Sequence, residues 1–172
     1  MLATILPDGL GPDRVLGAIL LNPPTTGGAA TLRHLAAAAV ALDCCSIAVA
    51  NMFPLPTKSV DQIGPLASDM QSWIQARDAI ELLVGEADVV IAAWGVSGLS
   101  GAARRNMGRQ VSWLVEELDR QKRTIWTVGP LPRHPSRWHQ YVSDKYGRAG
   151  SGTLAERLGR VLVESEPGQL VS

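Results

Sequence analysis

The chain has 172 residues, of which 46% are hydrophobic and 19% charged; this excludes a disordered or fibrous protein and suits one domain large enough to bury a core. Sixteen Lys and Arg balance sixteen Asp and Glu, so no overall excess of either sign names a partner. No apolar run approaches the ~20 residues of a membrane span, and the opening MLATILPDGLGPDR carries acids, Pro and Gly where a secretory signal carries basic residues, so a cytoplasmic protein is expected.

Val15–Leu21 (VLGAILL) reads as the first strand, ended by Asn22-Pro23-Pro24. From Thr31 to Asp43, Leu32, Leu35, Ala36, Ala39 and Leu42 recur at helical spacing. Cys44 and Cys45, the only cysteines, are adjacent and supply neither a disulfide framework nor a CxxC metal pair. Ser46–Ala50 (SIAVA) is the second strand, followed by Asn51 and the Pro-rich MFPLPTK. Ser68 is placed to cap a helix carrying Met70, Trp73, Ile74, Ile80, Leu83 and Val84, with Gly85 as its stop. Asp88–Trp94 (DVVIAAW) is the third strand; the glycine-rich GVSGLSG then leads into a helix over 102–121. Thr124–Val128 (TIWTV) is the fourth strand, and a loop rich in Pro, Arg, His and aromatics spans 129–152. Thr153 to Glu156 has the capping-box pattern of a last helix, with Leu158, Val161 and Leu162 facing inward. Residues 1–165 form a single domain in this reading, and 166–172 a flexible tail. Near-continuous apolar strands alternating with helices imply a parallel sheet covered on both faces. The expected fold is α/β, a three-layer αβα sandwich with a four-stranded parallel sheet.

The zero net charge conceals a gradient: −5 over residues 1–100, +6 over 101–150 and −1 over 151–172. The basic block runs from Arg104 to Arg148 and interleaves Trp113, Trp126, Trp138, Tyr141 and Tyr146. That pattern suits an anionic, base-bearing ligand, and it also suits a solvated basic face beside buried aromatics.

In open parallel sheets ligands bind beyond the carboxyl ends of the strands, so the strand-end loops hold the candidates. Two prolines after Asn22 fix the backbone and hold its amide at the sheet edge, although Asn also simply suits turns. Asn51 is placed to read the polar edge of a planar ring while Phe53 stacks on the ring's face; as a core plug, Phe53 would instead pack beneath the proline loop. Asp61 is a candidate base, or a turn former or helix cap. In the third loop, Trp94 and Gly95 open a glycine-rich segment with Arg104 and Arg105 in the following first helical turn; it reads as a flexible connector, or as an arrangement that turns amides and guanidiniums toward an anion. The segment lacks the phosphate-loop, dinucleotide and nucleophile-elbow patterns. In the fourth loop, His134 stands near Arg133 and Arg137, whose charges favour a neutral imidazole able to donate to a developing oxyanion; its other reading is a surface histidine in an irregular loop. His34 reads as a surface or packing residue of its helix. The histidines have no metal-ligand spacing, and neither a metal nor a cofactor is expected.

LNPPTTGGAATLRH, NMFPLPT, DQIGP, AWG and PRHPS, in this order over Leu20 to Trp138, resemble the motifs of the bacterial and phage family known as domain of unknown function 1643. Pro24 stands where that family usually has Ser, Gly28-Ala29-Ala30 replaces its acidic stretch, and Pro54 and Pro56 interrupt its second motif. The same order is similar to that of the uracil-DNA glycosylase superfamily, whose fold is a four-stranded parallel αβα sandwich. The resemblance implies that Asn22-Pro23 is the polar pair after the first strand, and that Asn51 reads the base. It implies that Trp94-Gly95 and His134-Pro135-Ser136 are the motifs after the third and fourth strands, with Arg137-Trp138 as the duplex wedge. Asn22 takes the place of the aspartate that assists water in many members, as in the mismatch-specific branch; the iron–sulfur branches need four cysteines.

The expected activity is hydrolysis of the N-glycosidic bond of a nucleobase, in DNA or in a nucleotide. Asn22 would position water, helped by Asp61, and His134 would stabilise the departing base. Pro23, Asn51, Phe53, Trp94, Gly95 and Ser136 would hold the base; Arg104, Arg105, Arg133, Arg137 and Trp138 would hold phosphates or nucleic acid. Two other classes stand beside it: a non-catalytic nucleotide- or nucleic-acid-binding module, and a biosynthetic or phage-pathway small-molecule enzyme on the same fold.

Overall fold

The computed structural model describes residues 2–5, 13–26, 28–58, 60–95, 98–143 and 150–171, with the backbone alone described at 2–5, 60, 61 and 171. Four short apolar runs form the parallel centre of the sheet: β2 (Val15–Leu20), β3 (Ser46–Asn51), β4 (Val89–Ala92) and β5 (Ile125–Val128). They lie in the order β3-β2-β4-β5 and are the four strands expected from the sequence. Two antiparallel edge strands enlarge the sheet to six: β1 (Leu2–Ile5) on β3 and β6 (Leu162–Ser165) on β5. The expected strand count is therefore corrected. Val161-Leu162-Val163 is too short for periodicity to separate helix from strand, and the register of β6 on β5 decides it.

Alternation along the strands sends side chains to two cores. Leu16, Ala18, Ile47, Ile91 and Val128 pack with α1 (Ala29–Ala41), α6 (His139–Val142) and α7 (Leu154–Gly159). Ile19, Ala48, Ala50, Val90 and Ile125 pack against α2 (Val60–Leu66), α3 (Met70–Ile74), α4 (Arg77–Glu86) and α5 (Gly101–Arg120). Helices thus cover both faces. Gly17 sets the spacing on one of them, since a Cβ there would meet Ala87 Cβ and Leu83 Cδ2 at 2.7 Å.

The helices differ from expectation in three places. The single helix expected from Ser68 is α3 and α4, broken at Gln75-Ala76; buried Gln110 of α5 donates to the Trp73 carbonyl at that break, at 3.1 Å. Asp69 rather than Ser68 caps α3, accepting from Gln71 N at 3.0 Å, while the Ser68 hydroxyl donates to Pro65 O. The capping box of α7 forms as read, but that helix ends at Gly159, before Val161 and Leu162. Residues Pro167–Val171 form a 3₁₀ turn in which Pro167 is buried and Leu170 packs against the α5-side core. Among the described residues no helix is long and apolar enough to cross a membrane.

The chain steps outward from β2 to β3, then returns past β2 to β4 and β5. The strand order therefore reverses between β2 and β4, and the crevice of such a sheet opens at their carboxyl ends.

Candidate functional site

The loops leaving β2 and β4 flank this reversal. Leu20 and Asn51 are register partners. The pairing continues past the strands, with Met52 N donating to Leu20 O and Phe53 N to Leu21 O, each at 2.8 Å. That continuation holds Asn22 and Asn51 at one edge. On the other flank, Gly95 N donates to Pro132 O at 2.6 Å. Gly95 has φ +89°, and a Cβ there would lie 3.2 Å from His134 Cβ. Only a glycine both adopts that backbone readily and lets the His134 loop approach.

Asn22 is half-buried, and its Nδ2 donates to Pro23 O at 3.0 Å and to Thr57 Oγ1 at 3.0 Å. A carbonyl only accepts, so the amide nitrogen is assigned to that side and Oδ1 is the outward acceptor end. Asn51 lies on the face of Ile47 and Val49, which is the α1 side. Its Oδ1 is buried with no hydrogen-bond partner, a state that costs about 1–3 kcal/mol and is uncommon in folded proteins.

His134 caps the 3₁₀ turn Pro135–Arg137. Its Nδ1 accepts from Ser136 N at 3.2 Å and lies 2.9 Å from Ser136 Oγ. A backbone N–H only donates, so Nδ1 is the bare nitrogen and the neutral ring carries its proton on Nε2. Burial pushes the His134 pKa below its ordinary 6.5, and the charge of His34 pushes the same way. Burial and His34, not the flanking arginines, thus favour the neutral ring. Arg133 turns instead to Tyr141, its Nε donating to the phenol oxygen at 2.7 Å.

Two further residues belong to this edge. Thr57 anchors Asn22. His34 is half-buried in the first turns of α1, which begins at the carboxyl edge; that position was the sequence signal for it.

Other candidates fall elsewhere. Phe53 is 0% exposed and packs on Trp73, with ring centroids 5.2 Å apart, so the expectation that it stacks on a ligand is corrected: it is the core plug. Trp138 is also 0% exposed, its Nε1 donating to Arg133 O at 2.7 Å, and the wedge expectation is corrected likewise. Trp94 is buried in the α5-side core. Pro23 is half-buried beside Asn22, while Ser136, Arg137, Arg104 and Arg105 are exposed. The Asp61 side chain, Tyr146 and Arg148 lie outside the described residues.

The basic block does not form one face. Arg104 and Arg105 stand at the carboxyl-edge end of α5. Arg120, about 24 Å away along the helix, pairs with Glu81 and Glu117 at 2.6 Å each, and Arg123 donates to Gly85 O at 3.1 Å. At that opposite edge a cleft of about 430 Å³ is lined by Arg14, Asp43, Asp88, Lys122, Arg123 and Trp126, among others. Among the described residues no three His, Cys, Asp or Glu side chains are grouped to hold a metal ion.

A family model described as "Protein of unknown function (DUF1643)" matches residues 11–136. No curated protein and no solved structure matches the chain.

Proposed function

The chain belongs to this DUF1643 family, and from its carboxyl-edge geometry we propose that it hydrolyses the N-glycosidic bond between a nucleobase and its sugar, in DNA or in a free nucleotide. The observation that carries this reading is His134, a neutral imidazole whose Nδ1 is engaged by Ser136 N and whose Nε2 holds the proton. Cleavage sends the C–N bonding pair to the base and leaves cationic character on the sugar. The Nε2–H of His134 donates to the oxygen on which the base's negative charge collects. Water adds to the sugar carbon, gives up one proton to solvent, and the base anion is protonated on release.

The two asparagines take complementary parts. Asn22 presents Oδ1 as the acceptor that orients the attacking water, because its nitrogen is occupied by Pro23 and Thr57. Asn51 Oδ1 lacks a donor, and a ring N–H of the base supplies one. Arg104, Arg105 and Arg137 are exposed near this edge to meet phosphates, whether of a strand or of a nucleotide. The reading is also supported by the order of the motifs after the parallel strands, which resembles that of the uracil-DNA glycosylase superfamily.

One observation favours a second reading. Asn22 is an amide, and an amide at that position orients water without taking its proton; a binding module on the same edge would look the same. The test is incubation with oligonucleotides carrying modified and unmodified bases, and with free nucleotides, followed by chromatography. Free base released from one of them is the expected result. A nucleotide bound at the carboxyl edge and recovered intact would establish the binding module instead.

A further inference from the structure

The cleft at the amino edge of the sheet, opposite the proposed site, encloses about 430 Å³, within the roughly 300–1,000 Å³ of small-molecule sites. We propose that it binds a small zwitterion whose two charges stand several bonds apart, the carboxylate on Arg14 and the ammonium over Trp126 between Asp43 and Glu164. The proposal is independent of the reaction assigned to the carboxyl edge.

The floor of the cleft is built on the α1 face of the sheet. Trp126 is half-buried against the α1-side core. Glu164 of β6 is its register partner, so their side chains stand on one face, and Thr124, two residues before Trp126, shares that face. Alternation from Leu16, a member of the same core, brings Arg14 to it at the start of β2. β4 alone separates β2 from β5, so the guanidinium and the indole stand on strands about 10 Å apart. That spacing is why the two charges of the ligand are several bonds apart.

Two helix ends close the cleft. Both α1 and α5 finish in the same hydrogen-bonded turn, with Cys44 N donating to Ala39 O and Arg123 N to Leu118 O, each at 2.9 Å. The left-handed position of such a turn is usually glycine. Here it is Asp43, with φ +53°, and Lys122, with φ +54°, the two non-glycine residues of positive φ among the described residues. Both line the cleft, so a charged side chain stands at each helix end where the backbone favours glycine.

These charges do not satisfy one another. Among the described residues the side chains of Arg14, Asp43 and Lys122 have no hydrogen-bond or ion-pair partner. Glu164 engages Oε1 alone, on the Thr124 hydroxyl at 2.6 Å. Asp88 and Arg123 are already held, by Val15 N and Gly85 O. Two cations and two carboxylates therefore face one cleft unpaired. A ligand of one sign leaves the other pair unmatched, whereas a zwitterion meets both. The indole face, the negative end of α1 and the two carboxylates suit an ammonium, and the Arg14 fork suits a carboxylate.

The test is a titration of the ¹⁵N-labelled full-length chain with ε-aminocaproate at constant ionic strength, read at the tryptophan indole signals by NMR. Acetate and butylammonium serve as single-charge probes, and Trp126→Phe identifies the Trp126 signal. A saturable shift of that signal with ε-aminocaproate, absent with either single-charge ion, is the expected result. Asp43→Gly and Lys122→Gly put the favoured residue at each left-handed position, so both fold and a loss of binding reports the missing charge. These two variants and Arg14→Gln are each expected to weaken binding several-fold. No saturable shift with ε-aminocaproate, an equal shift with a single-charge ion, or unchanged affinity in the variants would overturn the proposal.

Discussion

His134 differs from an ordinary histidine chiefly by burial, and that difference has a pH signature in stability. Unfolded, the ring takes up a proton near 6.5; folded, it does so only at lower pH. Between those two values the unfolded chain binds more protons, so stability falls as pH drops through about 6.5 and stops falling below the folded value. His134→Asn is expected to flatten that part of the curve, which urea midpoints measured at a series of pH values check. Asn51 makes the opposite kind of prediction. Truncating a buried acceptor that has no partner removes its desolvation cost, so Asn51→Ala should raise stability in the absence of ligand by about 1 kcal/mol. Destabilisation on the same substitution would mean that Oδ1 is paired in solution. Asn22, Asn51 and Gly95 were legible in sequence because each directly follows an apolar run whose end is easy to read, and His134 because it opens a His-Pro-Ser motif in the loop after the fourth strand. Phe53 and Trp138 were not: an aromatic after a strand or a His-Pro motif looks the same whether its ring faces a ligand or the core. Only the packing of Trp73 on one and of α1 on the other settles it.

The parallel strands were readable because both faces of each are buried, which leaves unbroken apolar runs. The edge strand β6 had no such signal: it is exposed at Val163 and Glu164 and so lacks an inward-facing run. The break between α3 and α4 was equally hidden: the partner of the Trp73 carbonyl there is Gln110, a side chain reaching across from α5. The close fit of α4 on the sheet rests on Gly17. Gly17→Ala would place a methyl 2.7 Å from Ala87 and Leu83, and overpacking of this kind costs about 1–3 kcal/mol. The expected outcome is a lower urea midpoint with an unchanged m-value, as for a folded but strained protein. An unaffected midpoint would show that α4 slides to accommodate the methyl.

At the scale of the molecule, the zero net charge resolves into two separate groups of arginines. Arg120 and Arg123 tie the far end of α5 and the residues after it to Glu81 and Gly85 of α4, and Glu117 of α5 itself also pairs with Arg120. Arg104 and Arg105 remain exposed at the end where the strand order reverses. The sequence showed the excess of positive charge but not its division, because a 20-residue helix carries its ends to opposite edges of the sheet. The loops that leave the strands beside the reversal carry a small set of groups: two asparagine acceptors and a neutral imidazole donor. The account stands on that set acting on a nucleobase. The most direct test is the rate of base release by folded His134→Ala and Asn22→Ala beside the original protein, on whichever oligonucleotide or nucleotide the original protein cleaves. Loss of an oxyanion donor predicts a fall of about 10²–10³-fold for His134→Ala, with a marked fall for Asn22→Ala as well. Full activity in both variants would contradict the assignment.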